Sequence, residues 1–191
     1  MTYRKTDTLC TLGVLLAALA GSAVGTACDS QPPLATNGHT VTPEYDGKTA
    51  RLKRLASDSK KDGQIDTWAY MDGTQLIRIE ADEDGDGKVD RWEYYSPATN
   101  QAPGSRPVQT PERVERATRH DGKVSRWEFF EHGTLVRVEE DTDGDGNIDK
   151  WETYRDGALA VMALDTEHIG KPTRQLVYKP DGSLDRVETL H

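Results

Sequence analysis

The chain has 191 residues, of which 33 are acidic and 24 are lysine or arginine, and its formal net charge is −9. This acidic balance argues against nucleic-acid binding, which favours a basic face, and it indicates cations as partners. Because only 35% of the residues are hydrophobic and two are cysteines, we expect neither a thick two-layer core nor a disulfide framework.

The first 27 residues have the order of an export signal. Arg4 and Lys5 precede the apolar run at 12–20, and the small-residue stretch GSAVGTA follows it. The apolar run is shorter than the roughly 20 residues that span a bilayer as a helix. We therefore predict a cleaved signal helix at 1–27 and an exported protein.

The segment Gly25-Thr26-Ala27-Cys28 resembles the lipobox of bacterial lipoproteins, in which the cysteine is acylated and becomes the new N-terminus. The resemblance implies a lipid anchor at Cys28 and a place in the bacterial cell envelope, on a periplasmic or cell-surface membrane face. Ordinary cleavage after Ala27 is the alternative. Residues 28–43 hold three prolines and few large apolar side chains, so we predict a flexible tether there.

Residues 44–191 carry a repeat marked by tryptophans, and we predict one domain over this range. The segments GQIDTW, GKVDRW, GKVSRW and GNIDKW end at Trp68, Trp92, Trp127 and Trp151, at spacings of 24, 35 and 24 residues. An offset of 59 residues also superimposes the aspartates of 82–93 on those of 141–152, which indicates a tandem duplication. The predicted copies are 58–116, 117–175 and a partial copy, 176–191, that contains GSLDRV.

The arms of each copy alternate with period two, as β-strands do. In KVDRWEYY, Trp92 and Tyr94 point one way while Arg91 and Glu93 point the other. Asp-Gly pairs such as Asp72-Gly73 indicate tight turns between the arms. The predicted fold is all-β, an antiparallel meander of about ten short strands built from tandem hairpins.

Each face of the predicted sheet has its own expected packing. Aromatic side chains of successive strands should form a cross-strand ladder on one face. On the other face, arginines should pair with glutamates, namely Arg91 and Arg137 with Glu80, Glu93 or Glu139. The proline-rich segment 96–111 is predicted to be an exposed loop.

Two segments fit the calcium-loop pattern D-x-[DN]-x-[DN]-G-x5-E at every position, 82–93 and 141–152. They resemble the loops of EF-hands, dockerins and thrombospondin type 3 repeats, and the resemblance implies two Ca²⁺ sites. Ca²⁺ prefers six to eight oxygen ligands and tolerates irregular geometry. The expected ligands are Asp82, Asp84, Asp86, the Lys88 carbonyl, Asp90 and Glu93, and then Asp141, Asp143, Asp145, the Asn147 carbonyl, Asp149 and Glu152.

The segments that flank these loops alternate like strands, so we expect the loops to lie between β-strands. A strand exit leaves open whether Glu93 and Glu152 reach the metal. An EF-hand sensor with helix pairs is the alternative, and ALAVMALD also leaves open a short helix over 152–168.

The remaining glycine loops depart from the calcium pattern. Lys60 replaces the third ligand of 58–66, and few acidic residues remain around Gly122 and Gly182, so we expect turns without metal. The five histidines lack zinc spacing and are expected on the solvated surface. Because no catalytic motif occurs, we predict a non-enzymatic calcium-binding surface protein for interaction or adhesion. No motif identifies its protein or glycan partner.

Overall fold

The computed structural model describes residues 34–36, 39–97 and 109–190, and within them the regular structure is entirely β-strand. Thirteen strands form one sheet in sequence order, each antiparallel to the next. The predicted all-β antiparallel meander is therefore confirmed. The strands are β1 Leu34–Thr36, β2 His39–Tyr45, β3 Leu52–Ser57, β4 Thr67–Asp72, β5 Gln75–Ala81, β6 Arg91–Tyr95, β7 Pro111–Arg116, β8 Arg126–Glu131, β9 Thr134–Glu140, β10 Lys150–Arg155, β11 Ala158–Leu164, β12 Arg174–Tyr178 and β13 Leu184–Thr189.

Of the two predictions for the N-terminal region, the structure bears on the tether and not on the signal segment. The signal segment and Cys28 lie outside the described residues. The predicted tether, 28–43, overlaps the sheet, because β1 and most of β2 fall inside it. The consecutive β-branched residues Thr40, Val41 and Thr42 favour a strand here. The strand β2 pairs with β3 despite Pro43.

Two further segments can be compared with their predictions. The helix left open over 152–168 does not form, because β10 and β11 pair as a hairpin there. β6 ends at Tyr95 and β7 begins at Pro111, so no strand enters the predicted loop 96–111 before its last residue, although its residues 98–108 lie outside the described range.

Five loops of nine residues each lie at one end of the sheet. They connect β3 to β4, β5 to β6, β7 to β8, β9 to β10 and β11 to β12, and we number them in chain order. Loop 1 is 58–66, loop 2 is 82–90, loop 3 is 117–125, loop 4 is 141–149 and loop 5 is 165–173. Their first residues follow one another at 24, 35, 24 and 24 residues, so the basic repeat is a 24-residue hairpin.

The 59-residue offset in the sequence is two such hairpins plus eleven residues between β6 and β7. The fifth loop is loop 5, not the GSLDRV segment predicted as a partial copy. GSLDRV starts in the short turn between β12 and β13, at the other end of the sheet. Loop 5 was missed because Gln175 takes the place of the tryptophan that marks the other copies.

One face of the sheet carries the tryptophans, but they do not form the predicted ladder of aromatic contacts between successive strands. In the cross-strand row, Trp68 and Trp92 flank Glu80, and Glu115 and Glu139 separate the later tryptophans in the same way. A parallel row stacks arginines on aromatic rings, with guanidinium-to-centroid distances of 4.5, 4.3 and 3.8 Å for Arg78–Tyr70, Arg113–Tyr94 and Arg137–Phe129. The long arginine side chains thus cover the rings on this face of the sheet.

The opposite face carries an ion-pair network across β6 to β10. Arg126 contacts Glu128 at 2.9 Å and Glu140 at 2.8 Å, and Lys150 contacts Glu140 at 2.6 Å. Of the predicted pairs, Arg91–Glu93 belongs to this face. The Arg137–Glu139 pair forms on the aromatic face instead, because both residues share the alternation of the tryptophan row.

Candidate metal centre

The five loops share one backbone conformation, set by two residues with positive φ. The sixth position is glycine in every loop, with φ of 89° at Gly63, 88° at Gly87, 75° at Gly122, 93° at Gly146 and 78° at Gly170. The fourth position is also left-handed, whether it is glycine, Lys61, His120 or His168. Loops of quite different charge therefore fold alike, because left-handed residues at both positions define the turn.

Side chains at the first position bind the loop backbone. Asp82 accepts hydrogen bonds from the N–H groups of Gly85 at 2.6 Å and Gly87 at 2.8 Å. Asp141 repeats this with Gly144 at 2.6 Å and Gly146 at 3.0 Å. These aspartates are buried, yet both oxygens of Asp82 and the Oδ1 of Asp141 keep a further lone pair for another ligand. The Oδ2 of Asp141 also accepts from Arg119 at 3.3 Å.

Side chains at the ninth position also bind the loop backbone, at its second and third residues. Asp149 accepts hydrogen bonds from Thr142, and Asp66 accepts them from the N–H groups of Ser59 and Lys60. In loops 3 and 5 a hydroxyl does the same, as Ser125 accepts the N–H of Thr118 at 3.1 Å and Thr173 that of Thr166 at 2.9 Å. A negative charge is therefore not required at this position.

The third and fifth positions distinguish loops 2 and 4 from the others. There Asp84, Asp86, Asp143 and Asp145 replace the mixed residues of loops 1, 3 and 5. Their only backbone role is a local turn, such as the 3.0 Å hydrogen bond from the Asp86 N–H to Asp84, which asparagine would accept equally well. Loop 2 holds five acidic residues against one lysine, and loop 4 holds four acidic residues and no basic one.

The acidic side chains converge closely enough to share an ion. One oxygen from each of Asp82, Asp84 and Asp86 lies within 4.8 Å of the others, and the same holds for Asp141, Asp143 and Asp149. Two oxygens that bind one Ca²⁺ at about 2.3–2.6 Å lie at most about 5 Å apart. The donor set and its spacing thus fit Ca²⁺ in both loops.

The two acidic loops differ in the cations around them. In loop 2, Lys88 Nζ lies 2.8 Å from Asp86, and this contact lowers the pKa of Asp86 and raises that of Lys88. In loop 4, Asn147 replaces this lysine, but Arg119 of loop 3 reaches the Asp141 carbonyl at 3.0 Å and its carboxylate at 3.3 Å. In loop 2, Lys60 of loop 1 reaches the Asp82 carbonyl in the same way, at 3.1 Å. Each acidic loop therefore has a cationic side chain from the preceding loop, and loop 2 has Lys88 in addition.

We call the first- and ninth-position side chains that accept hydrogen bonds from the loop backbone capping side chains. Three buried capping aspartates have pKa values below the ordinary value. Burial by itself favours the neutral form of Asp141, but the N–H groups of Gly144 and Gly146, together with Arg119, outweigh it and hold the pKa below its ordinary value. The pKa of Asp66 and that of Asp165 are lowered in the same way, because backbone N–H donors outweigh the cost of burial. The backbone N–H groups of these loops therefore stabilise the ionised form of the capping aspartates.

The two glutamates that the pattern predicts as closing ligands lie on strands. Glu93 on β6 contacts Arg91 and Tyr95, its neighbours on the same face. Glu152 on β10 accepts a hydrogen bond from Tyr154 at 2.8 Å and lies 3.4 Å from Lys150. The strand exit directs both carboxylates onto the ion-pair face, so the structure brings the aspartates together without them. Lys88 and Asn147 were predicted to offer their carbonyls to the metal. In the structure the Lys88 N–H donates to Asp86 at 2.8 Å and the Asn147 N–H donates to Asp145 at 2.7 Å.

Two histidines that sequence reasoning left on the open surface lie beside the acidic loops. His120 Nδ1 lies 3.4 Å from Asp84 and 3.5 Å from Asp90, and His168 Nδ1 lies 3.3 Å from Asp143. Both occupy the fourth position of the loop that follows an acidic loop. An alignment of all five loops by their glycines would have identified them.

Comparison with known proteins assigns this chain to no family. No family model matches it, and no curated protein matches it. One similar solved structure is the crystal structure of accessory secretory protein 1, 2 and 3 in Streptococcus pneumoniae, with 13% sequence identity and a TM-score of 0.29. That match covers 65% of this chain and 19% of the other chain. Among the residues that the structure describes, no helix is long and apolar enough to cross a membrane.

Proposed function

We propose that this protein is an exported, lipid-anchored calcium-binding protein in which two Ca²⁺ ions rigidify the loop end of a single β-sheet for interaction or adhesion. Asp82, Asp84, Asp86 and Asp90 would hold one ion, and the other would be held by Asp141, Asp143, Asp145 and Asp149. Bound Ca²⁺ would neutralise carboxylates that otherwise repel one another across a few ångströms.

The observation that supports calcium binding is the contrast among the five loops. Loops 3 and 5 fold like loops 2 and 4 although Arg119 stands at the third position of loop 3 and Ile169 at the fifth position of loop 5. The loop conformation therefore does not require aspartates at the third and fifth positions. Their concentration in two loops, with oxygens within 4.8 Å of one another, fits a ligand better than it fits a folding role.

Calcium titration of the purified protein, followed by calorimetry and thermal unfolding, tests the proposal. Ligand that binds only the native state stabilises it by about 2.7 kcal/mol per site at a hundredfold excess over Kd. The variant with Asp84→Asn and Asp143→Asn keeps both turn acceptors but loses charge at both sites. We expect it to lose most of the calcium-dependent stabilisation.

The matched control carries Asp62→Asn and Asp121→Asn in loops 1 and 3. Each of these aspartates also accepts a hydrogen bond from the N–H two residues on, at 2.9 Å in both cases. The control removes the same charge from hydrogen-bonded turns of the same kind, at the fifth loop position instead of the third. It should bind calcium like the unaltered protein. If calcium releases no heat and leaves the melting temperature of the unaltered protein unchanged, the proposal is wrong.

The anchor and the export signal depend on residues 1–33, outside the described range, and require their own test. Mass spectrometry of the N-terminus of the protein from a bacterial envelope should find acylated Cys28. A free Cys28 at the N-terminus would support ordinary cleavage after Ala27, and an intact Met1 would contradict export. The helix-pair sensor receives no support, since strands enter and leave both acidic loops.

A further inference from the structure

We infer that His120, Asp84 and Asp90 form a site for a first-row transition-metal dication between loops 2 and 3. One ligand atom of each residue lies within 4.8 Å of the others. The site differs from the calcium site in its nitrogen donor, which comes from the neighbouring loop. The inference does not depend on calcium binding.

A buried carboxylate oxygen points to a ligand here. Asp90 is 2% exposed, and its Oδ1 has no hydrogen-bond partner, whereas its Oδ2 accepts the N–H of Glu83 at 3.0 Å. Among the described residues, it is the one buried carboxylate oxygen left in this state. An unpaired buried acceptor destabilises the folded state, because it loses its hydrogen bonds to water without replacing them. The ninth-position side chains of loops 3 and 4 avoid this cost through a threonine at the second position. The Thr142 hydroxyl donates to Asp149, and the hydroxyls of Thr118 and Ser125 share a hydrogen bond, whereas loop 2 has Glu83 at its second position.

The free oxygen of Asp90 faces an imidazole nitrogen. His120 Nδ1 lies 3.5 Å from Asp90 Oδ1 and 3.4 Å from Asp84 Oδ2. Two ligands about 2.1 Å from one Zn²⁺ at a tetrahedral angle are about 3.4 Å apart. The separations of His120 Nδ1 from these two oxygens therefore match those of ligands that share one small ion.

The chemistry of the donors selects the class of metal. Ca²⁺ takes oxygen ligands, whereas imidazole suits Zn²⁺ and its transition-metal neighbours. His120 is held for this role by the fold, since its φ of 54° belongs to the left-handed fourth position common to all five loops. The second acidic loop has a counterpart, in which His168 joins Asp143 and Asp145.

The test uses Zn²⁺ and Co²⁺ as probes on the full chain in calcium-free buffer. His168→Asn serves as the background, so that only the cluster between loops 2 and 3 keeps its imidazole. Asparagine tolerates positive φ, so His120→Asn in this background removes the ligand but preserves the turn. Zn²⁺ affinity by calorimetry should fall about a hundredfold or more, since even partners outside the coordination shell are worth about 10–100-fold.

His132→Asn in the same background is the matched control. His132 has a φ of 50° in the hairpin turn between β8 and β9, at the opposite end of the sheet from the loops. This variant should bind Zn²⁺ like the background, and visible absorption of bound Co²⁺ should change only with His120→Asn. Calcium titration of the same proteins separates the two proposals. His120 contacts Asp84 and Asp90 but is not itself a proposed Ca²⁺ ligand, so His120→Asn should change Ca²⁺ affinity far less than Zn²⁺ affinity.

Two results would overturn the inference. One is the absence of Zn²⁺ binding to the background protein, and the other is equal Zn²⁺ affinity with and without His120. Calcium binding without zinc binding would refute this inference alone. Zinc binding without calcium binding would refute only the calcium proposal.

Discussion

Loops 2 and 4 are strongly acidic and loops 1, 3 and 5 are not, yet all five have nine residues and the same pair of left-handed positions. The shared features are the sixth-position glycine and an acceptor at the ninth position, which is aspartate, serine or threonine. This contrast shows that the residues that fix the loop conformation differ from those that give a loop its negative charge. The third and fifth positions are free of the folding requirement, so their residues decide what each loop binds.

The most direct way to test this separation is to install the acidic set in a loop that lacks it. In loop 1, Lys60→Asp with Lys61→Gly gives DSDGDGQID, which repeats the pattern of loop 4. We expect a third calcium site, worth about 2.7 kcal/mol of added stability at a hundredfold excess of Ca²⁺ over Kd. Isothermal calorimetry should show a stoichiometry increased by one.

Lys61→Gly alone is the control for this graft, because it keeps the Lys60 ammonium that donates to the Asp82 carbonyl at 3.1 Å. It should add no site. The graft also tests whether calcium binding needs the glutamate at the twelfth position of the pattern, since Ala69 stands there in loop 1 where loop 2 has Glu93. If the grafted loop fails to bind while loops 2 and 4 bind, residues beyond the nine of the loop are needed.

The shared turn predicts an equal cost for disturbing its glycine in loops of either kind. Gly63→Ala in loop 1 and Gly146→Ala in loop 4 place a Cβ where no atom lies within 4 Å, so only the backbone is strained, at φ of 89° and 93°. Each should lower the free energy of unfolding in chelator by about 1–2 kcal/mol. Urea unfolding measures this.

Gly47→Ala is the matched control for the glycine variants. Its added Cβ also meets no atom within 4 Å, and Gly47 does not have a positive φ. It should therefore cost little. A much larger loss for Gly146→Ala than for Gly63→Ala in the absence of calcium would mean that the two kinds of loop do not share one folding rule.

Much of this organisation is readable from the sequence, because strand alternation and the glycine turns are local properties. The order of the strands follows from the same hairpins. What alternation does not supply is the neighbour across the sheet. Trp92 and Glu80 share a face by alternation in their own strands, but only the register between β5 and β6 sets them opposite one another. The prediction of aromatic contacts between successive strands was wrong for this reason.

The site was predictable where its residues are close in the chain. Asp82, Asp84 and Asp86 converge because one turn holds them. His120 lies 30 residues beyond Asp90, and only the stacking of loops 2 and 3 brings them together. Loop 5 escaped notice because Gln175 replaces the marker tryptophan and the third and fifth loop positions lack the calcium pattern, although Asp165, Gly170 and Thr173 preserve the turn.

Capping by carboxylates predicts that the stability contributed by a loop depends on pH. A loop capped by a hydroxyl at its ninth position, such as loop 3 with Ser125, should lack this dependence at that position. Because the pKa of Asp66 is lowered in the folded state, its contribution is present above the unfolded pKa of about 3.9 and is lost as the pH falls through the folded value. In calcium-free buffer the protein should therefore lose stability below about pH 4. Urea unfolding at several pH values between neutral and strongly acidic measures the loss.

Asp66→Ser imitates Ser125 of loop 3, which caps its loop with a hydroxyl. This variant should be less stable at neutral pH by about 1 kcal/mol, because a neutral acceptor replaces a charged one. The gap between the variant and the unaltered protein should narrow in acid. A constant gap would show that ionisation of Asp66 does not stabilise the fold.

The smallest effect concerns the difference between the two acidic loops themselves. Lys88→Asn gives loop 2 the residue that loop 4 has at Asn147, and it removes the ammonium 2.8 Å from Asp86. The pair is exposed, with side-chain exposures of 57% and 33%, so its release should tighten Ca²⁺ binding at loop 2 only about two- to fivefold. Lys123→Asn at the same position of loop 3 is the control. A larger gain from Lys88→Asn would identify the lysine as the main competitor for the metal, and no gain would mean that Asp86 is not a ligand in loop 2.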